Sequence, residues 1–298
     1  MAIKPIPLKM RSFRLFVVLF ILFGSKLIVA QDALLWRISG NGLSKPSYLF
    51  GTIHLHCQPY EVVKTVLTNA IDSSNVVALE LNFFDYDTRV AMLKSEMAKS
   101  DKTISSQLNQ KQIKLVDSVC QALLGQPLTD FDNRSPMMLM SRLYSTKSIV
   151  SCSEPVPIDI LIAGICTKTG KEIFGLESFA FQDSLIKSFP DSLQIAWLLD
   201  FCQNTDSAKS EFNSMTTLYN QQKALALYGL LVKNSPEMIF FKEQLLDDRN
   251  YRWLEFLKDN MKEVSIFMAV GAAHLGGETG LIAALRAAGY TVTPIIIK

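Results

Sequence analysis

The stretch Leu49-Phe-Gly-Thr-Ile-His-Leu-His56 decides how the sequence is interpreted, because it holds two of only three histidines in 298 residues. The third, His274, lies in residues 271–275, which read G-A-A-H-L. His54 and His274 therefore share the pattern G-x-x-H-L. Since only 14 residues are Gly, finding the pattern twice is about a one-in-a-hundred coincidence, and a repeated short motif is a hypothesis of function.

Each G-x-x-H-L pattern follows a predicted strand and precedes a predicted helix. Apolar alternation and helical spacing predict strand, helix and strand at 47–55, 59–73 and 76–81. The same order is predicted at 264–270, 279–288 and 291–297. Strand, helix and strand within about 35 residues is a βαβ unit, whose two strands are parallel.

The middle of the chain has a different pattern. Residues 85–260 read mainly as amphipathic helices, interrupted by one predicted strand at 171–177. We therefore predict an α/β fold with a mostly parallel sheet built from two βαβ halves, and one domain over 31–298 with a large helical insertion at about 85–260.

The first 30 residues have the features of a secretory signal peptide. Basic residues precede the apolar run L-F-V-V-L-F-I-L-F at 15–23, and cleavage is predicted after Ala30. An uncleaved membrane anchor is the alternative, although the run is shorter than the ~20 residues of a membrane span. The mature protein is expected to be exported, either periplasmic or secreted, and to meet the membrane only through an uncleaved signal segment.

Charge and cysteine content limit the function classes further. The net charge of +2 includes five basic residues of the signal segment, so the mature chain has 25 basic and 28 acidic residues. This balance gives no reason to expect a nucleic-acid partner. The five cysteines lack C-x-x-C spacing; in an exported protein some are expected to pair, and an odd count leaves at least one free.

Four potentially reactive side chains follow predicted strands, namely His54, His274, Glu80 and Glu177. The carboxyl ends of parallel strands form the crevice in which α/β proteins bind ligands. Two neutral imidazoles and a carboxylate suit a divalent ion such as Zn, Mn or Co. Gly51 and Gly271, three residues before the two histidines, would allow a close backbone approach as the strands end.

Five motifs follow one another along the chain. They are Y-L-F-G-T-I-H-L, V-A-L-E-L-N, the stretch 159–182, D-R-N at 248–250 and the stretch 267–292. In this order they resemble the TraB/GumN family, which includes the Tiki proteases that cleave Wnt ligands. The resemblance covers nearly all of the mature chain. One departure is Asp248, where the family usually has Glu.

The resemblance implies a fold similar to the EreA/ChaN-like proteins and a metal-dependent hydrolase. It implies an active constellation of His54, His274 and Glu80, which we expect to hold the metal. We expect Glu80 and Glu177, which also matches a family position, to be the catalytic carboxylates. Arg249, Asn250 and Gln182 also match family positions, and we expect Arg249 and Gln182, with Gly51 and Gly271, to support the site or the substrate.

Plainer interpretations remain open for these residues. A single buried histidine is most often satisfied by a hydrogen bond, and His56 is expected to be a loop residue rather than a ligand. Glu80 alternatively caps a nearby helix or pairs with an arginine. Glu177 alternatively orients a histidine or forms a structural pair with Arg249. Asp159 and Gln182 are expected to lie on a helix face or to orient the ligands.

The sequence therefore favours an exported divalent-metal-dependent hydrolase, most simply a metalloprotease that cleaves a peptide or protein substrate. Two other functions stay open. One is a protein that sequesters peptides without cleaving them. The other is a haem-binding or iron-binding protein of the ChaN-like kind, with an exposed histidine as axial ligand.

Overall fold

The computed structural model describes residues 32–57, 61–150, 152, 155–233 and 236–297. The predicted signal peptide, 1–30, lies outside the described residues. Within the described residues, no helix has both the length and the apolar character needed to cross a membrane.

A six-stranded sheet forms the centre of the fold, in the order β4-β3-β5-β2-β1-β6. The neighbours β4 and β3, β3 and β5, and β5 and β2 are parallel, whereas β1 is antiparallel to both β2 and β6. The strands are β1 (Leu35–Ser39), β2 (Ser47–Thr52), β3 (Val76–Leu79), β4 (Glu172–Gly175), β5 (Ile266–Gly271) and β6 (Thr291–Ile295). The expectation of a mostly parallel sheet in a mixed α/β fold is confirmed.

The strands of the two predicted βαβ units are parallel, but they are not neighbours in the sheet. Strand β5, from the end of the sequence, lies between β2 and β3 and pairs with both. Every residue of β5 from Ile266 to Val270 is fully buried, as expected for a strand covered on both faces. This position brings the second histidine motif beside the first.

Strand β1 was not predicted from the sequence. It forms an antiparallel hairpin with β2, where Leu35 pairs with Phe50 and Ile38 with Ser47. Its signal is the short, mainly apolar stretch L-W-R-I, in which Leu35, Trp36 and Ile38 are buried and Arg37 is exposed. Five residues next to a predicted cleavage site give little periodicity to detect.

Helices occupy most of the remaining chain. Those before β5 are α1 (Glu61–Asp72), α2 (Tyr86–Met97), α3 (Gln110–Leu124), α4 (Pro136–Tyr144), α5 (Lys147–Val150), α6 (Ile158–Thr169), α7 (Phe179–Lys187), α8 (Asp191–Gln203), α9 (Thr205–Asn220), α10 (Ala224–Lys233), α11 (Pro236–Lys242) and α12 (Asp248–Asn260). Helix α13 (Leu281–Ala287) connects β5 to β6. Local chemistry fixes several ends; for example, Asn109 and Gln112 form a capping box at the start of α3, and Gly125 ends it with φ 69°.

Two apolar clusters hold these elements together. One surrounds the sheet and includes side chains of α1, α6, α12 and α13. The other lies among α3, α4, α8 and α9. A disulfide joins Cys57, just after β2, to Cys152, which confirms that some cysteines pair; Cys120, Cys166 and Cys202 are free and buried.

Gly51 in β2 packs against the chain that follows β5. A Cβ at this position would lie 3.1 Å from both Cα and Cβ of Ala272 and 3.3 Å from a methyl carbon of Leu275. Such distances are tighter than ordinary van der Waals contact, so the absent side chain allows the two histidine motifs to approach.

We predict that Gly51→Ala lowers the free energy of unfolding by about 1–3 kcal/mol, because overpacking a close contact costs about that much. The matched control is Gly164→Ala in α6, where a Cβ meets nothing within 4 Å. There the change should stabilise by roughly 0.5–1 kcal/mol. Urea denaturation of both variants measures the difference, and equal effects would contradict this account of Gly51.

Candidate functional site

The site is built where four neighbouring parallel strands end. Thr52 of β2 is level with Gly271 of β5, Leu79 of β3 with Ala269 of β5, and Leu79 with Gly175 of β4. His54, Glu80, Glu177 and His274 follow these ends by one to three residues. The strand register therefore brings all four to one edge of the sheet.

Arg249, in the first turn of α12, contacts three of these four side chains, namely Glu80, Glu177 and His274. Its Nη2 lies 2.5 Å from Glu80 Oε2 and 2.8 Å from Glu177 Oε2. Its Nε lies 3.0 Å from Glu177 Oε2, and its Nη1 lies 3.2 Å from Nε2 of His274. The Arg249 side chain is 10% exposed and that of Glu177 is 4% exposed, so this is a buried ion pair. The alternative interpretation of Glu177 as a partner of Arg249 is confirmed.

Glu80 has further partners besides Arg249. The Gly271 N–H donates to Oε1 at 2.7 Å, and the Gln182 side-chain amide donates to Oε2 at 3.1 Å. Burial alone would raise the pKa of Glu80, but His274 in its protonated form, the Arg249 guanidinium and the Gly271 N–H together lower it to about 2. Glu80 is therefore ionised at neutral pH.

His274 lies in a 3₁₀ turn, Ala272–Leu275, and is buried. Asn250 Nδ2 donates to the carbonyls of His274 and Thr279, so its Oδ1 faces His274 Nδ1 at 2.8 Å and accepts that proton. The Nε2 atom then keeps its lone pair. Burial, together with the charge on Arg249, lowers the pKa of His274 to about 3 although Glu80 opposes the shift, so the imidazole is neutral at pH 7.

His54 and Asp159 complete the edge. His54 is exposed, in a bend after β2, and in its protonated form it would lower the pKa of both Glu80 and His274. Asp159, in the first turn of α6, is 5% exposed. Burial raises the pKa of Asp159 to about 6, against the charge of His54 and a hydrogen bond from Thr52.

Trp253 packs against both Arg249 and His274. The Arg249 guanidinium lies 4.7 Å from the centre of the Trp253 ring, and the His274 ring lies 4.5 Å from it. Arg249, Asn250 and Trp253 are all buried and occupy one face of α12. A cation over an aromatic face is stabilised by the ring quadrupole, so α12 both positions and supports the site.

A π-helical segment, Glu243–Asp247, leads into α12. The Leu245 carbonyl in this segment accepts a hydrogen bond from Arg249 Nη1 at 3.1 Å. Single π-helical turns inside helices are rare and frequent at functional sites. The segment therefore gives the arginine a backbone acceptor in addition to its acidic partners.

Two other candidates have different roles. His56 is buried, and its Nε2 lies 2.7 Å from Asn220 Oδ1; its backbone bridges to Val156. It belongs to the contact between the loop after β2 and the helices. Asp248, the residue that departs from the family pattern, is exposed at the start of α12.

Sequence reasoning undervalued three residues of the site. Asp159 was expected only on a helix face or in a supporting role, but it is buried at the site. Its sequence signal is that it is the one acid within the apolar run I-D-I-L-I-A. The roles of Asn250 and Trp253 follow from the spacing of residues 249, 250 and 253, which share one helix face. Only the fold shows that this face meets His274.

The donor chemistry of the site fits a divalent ion. His274 offers an unprotonated Nε2, Glu80 a carboxylate and His54 an exposed ring, which are the donor types that Zn, Mn and Co bind. Across the described residues no three His, Cys, Asp or Glu side chains are already arranged as ligands, and Arg249 bonds to both Glu80 and His274. The side chains are therefore of the types that bind a divalent ion, and Arg249 lies among them.

Comparison with known sequences assigns the family. The profile described as the TraB/PrgY/gumN family matches residues 34–294, which is most of the chain, so the chain belongs to this family. No curated protein and no solved structure gives a significant match.

Acid should weaken the fold through two groups of this site. The pKa of His274 is lowered from 6.5 to about 3 and that of Glu80 from 4.5 to about 2. The contribution of each group to the stability of the fold is therefore fully present above its ordinary pKa, 6.5 or 4.5, and is lost as pH falls toward the lowered value. The His274 part is lost between pH 6.5 and 3. Asp159, with a raised pKa, acts in the opposite direction, because its contribution is complete below its ordinary value and is lost as pH rises.

We predict that His274 and Glu80 together lower the free energy of unfolding by on the order of 4 kcal/mol between pH 7 and 4, that Asp159 offsets on the order of 2 kcal/mol of this, and that the net loss is therefore about 1–2 kcal/mol. His274→Gln should show no net loss over this range, because it has no imidazole to protonate while the opposing Asp159 contribution remains. Chemical denaturation at a series of pH values measures both curves. Parallel curves for the two proteins would contradict the assignment of the loss to His274.

Proposed function

We propose that this member of the TraB/PrgY/gumN family is an exported divalent-metal-dependent hydrolase, most simply a metalloprotease that acts on a peptide or protein. The supporting observation is the convergence of His54, His274 and Glu80 at the ends of adjacent strands. We further propose that the core is of the EreA/ChaN-like kind and that the helices between β3 and β5 form an insertion that shapes the substrate groove.

In this proposal His54, His274 and Glu80 hold the ion, which when bound polarises a carbonyl and activates water. Asn250 fixes the His274 tautomer, as partners of metal-binding histidines commonly do. Gly271 contributes by its N–H bond to Glu80 and by its missing side chain, since a Cβ there would lie 3.3 Å from Glu80 Oε1. These contacts orient two ligands before any ion arrives.

Arg249 and Gln182 provide N–H donors beside the two carboxylates. Donors placed in advance near a reacting carbonyl stabilise the negative charge that develops on its oxygen. We propose that Gln182 and Arg249 stabilise this charge, which gives a specific role to two residues that the sequence analysis expects to support the site or the substrate.

Two carboxylates other than Glu80 are candidates for proton transfer, those of Glu177 and Asp159. Glu177 accepts hydrogen bonds from Arg249, Arg252 and Gln182, so both of its carboxylate oxygens are already engaged by donors of the chain. Asp159 is buried beside His54 and is bonded to Thr52 rather than to an arginine in the described contacts. We therefore assign proton transfer to Asp159 ahead of Glu177, and leave Glu177 the role of holding Arg249.

Activity of the mature chain should depend on metal and on two of its three histidines. His54→Ala and His274→Ala are each expected to lower turnover of a fluorogenic peptide library by roughly 10²–10³-fold, because loss of a ligand removes most of the metal's contribution. The third histidine gives the control, since His56→Gln should keep metal and turnover. Zn, Mn and Co are added back separately after chelation.

Other results would support other functions. Stoichiometric metal with peptide binding but no cleavage would favour a sequestering protein, and a shifted Soret band on haem titration would favour haem binding. Turnover that survives in both alanine variants would refute the metal-dependent mechanism.

Asp159→Asn is expected to lower kcat by roughly 10²–10⁴-fold, the usual contribution of general acid–base catalysis. Metal content, measured by elemental analysis, and KM should stay close to those of the unchanged protein. The pH profile of kcat should also lose its acidic limb. If Glu177→Gln abolishes that limb instead, proton transfer belongs to Glu177.

A further inference from the structure

Arg249 is bonded to the same atoms that the proposed metal site needs. Its guanidinium lies 2.5 Å from Glu80 Oε2 and 3.2 Å from Nε2 of His274. Both contacts are buried, since the side chains of His274 and Arg249 are 4% and 10% exposed. The site thus already contains one positive charge, which the chain itself provides.

The imidazole of His274 cannot serve two partners. Its Nδ1 proton is donated to Asn250 Oδ1, so Nε2 holds the ring's one available lone pair. That lone pair accepts the Arg249 Nη1–H. Coordination of an ion by Nε2 requires the same lone pair, so the hydrogen bond and the metal bond exclude each other.

Charge leads to the same conclusion. A guanidinium and a divalent cation that share Glu80 Oε2 would be like charges a few ångströms apart in a buried site, where repulsion is less screened than in water. A second anion, Glu177, is not among the proposed metal ligands and also binds the arginine. Its carboxylate accepts from Arg249 Nε at 3.0 and 3.1 Å and from Nη2 at 2.8 Å.

We propose that Arg249 and a divalent cation compete for Glu80 and His274, so that metal binding displaces the guanidinium from these two residues while Glu177 retains it. This inference rests on the proposed function and adds a regulatory step to the same site. Arg249 compensates the buried carboxylates in the metal-free protein. The cost of its displacement lowers the affinity for metal.

The competition predicts an unusual variant, one that binds metal more tightly than the unchanged protein. Arg249→Met removes the charge and the donors but keeps most of the side-chain volume. Its affinity for Mn²⁺, measured by titration calorimetry after chelation, should rise roughly tenfold or more, within the usual range of coupling between two sites. Its melting temperature in EDTA should fall, and saturating Mn²⁺ should raise it more than in the unchanged protein.

Arg252→Met is the matched control. Arg252 is one turn along the same helix and contacts Glu177 Oε1 at 3.3 Å, but its side chain is 47% exposed. Exposed ion pairs contribute little, so its Mn²⁺ affinity should stay within about twofold of the unchanged protein. An equal rise in both variants would overturn the competition, because it would reflect a general change of charge.

The remaining outcomes separate the two proposals. Mn²⁺ binding that is unchanged or weaker in Arg249→Met overturns the competition and leaves the metal-dependent function standing. Absence of binding in every protein overturns both. If Arg249→Met does not fold, crystals of the unchanged protein soaked in Mn²⁺ give the answer, since retention of both Arg249 contacts beside a bound ion overturns the competition and their loss supports it.

Discussion

The buried contact of Arg249 with Glu80, Glu177 and His274 is the interaction on which the rest of the site depends. Two carboxylates at the edge of a sheet cannot stay ionised in a buried place without a cation. Arg249 supplies this charge from α12, an element that follows β4 by many residues in the sequence. The same guanidinium holds Nε2 of the neutral His274 and rests on Trp253. Removing any one partner would leave the others with an unbalanced charge or an unused donor.

The fold makes this contact possible through the position of β5. Because β5 lies between β2 and β3, the turn that carries His274 is adjacent both to the end of β2, with His54, and to the end of β3, with Glu80. Close packing of Gly51 against Ala272 brings the two motifs together. The disulfide between Cys57 and Cys152 then ties the loop that carries His54 to the helical region.

Much of this arrangement is local and could be predicted from the sequence, including the strands at Val76 and Ile266, the helices between them, and the placement of His54, His274, Glu80 and Glu177 at strand ends. Strand order could not be predicted, because pairing of β5 with both β2 and β3 is a long-range choice with no local pattern. The partner of Glu80 was equally hidden, since Arg249 is 169 positions away in the sequence. The burial of Asp159 and the link from Asn250 to His274 became visible only when α6 and α12 were placed on the sheet.

Whether His54, His274 and Glu80 bind one ion together is the central claim, and X-ray absorption at the zinc edge of the Zn²⁺-loaded mature protein tests it most directly. The account predicts scattering from two imidazole rings, with nitrogen and oxygen ligands at about 2.0–2.2 Å. One ring should disappear in His54→Ala and one in His274→Ala. A zinc shell without imidazole scattering, or one unchanged by both substitutions, would contradict the account.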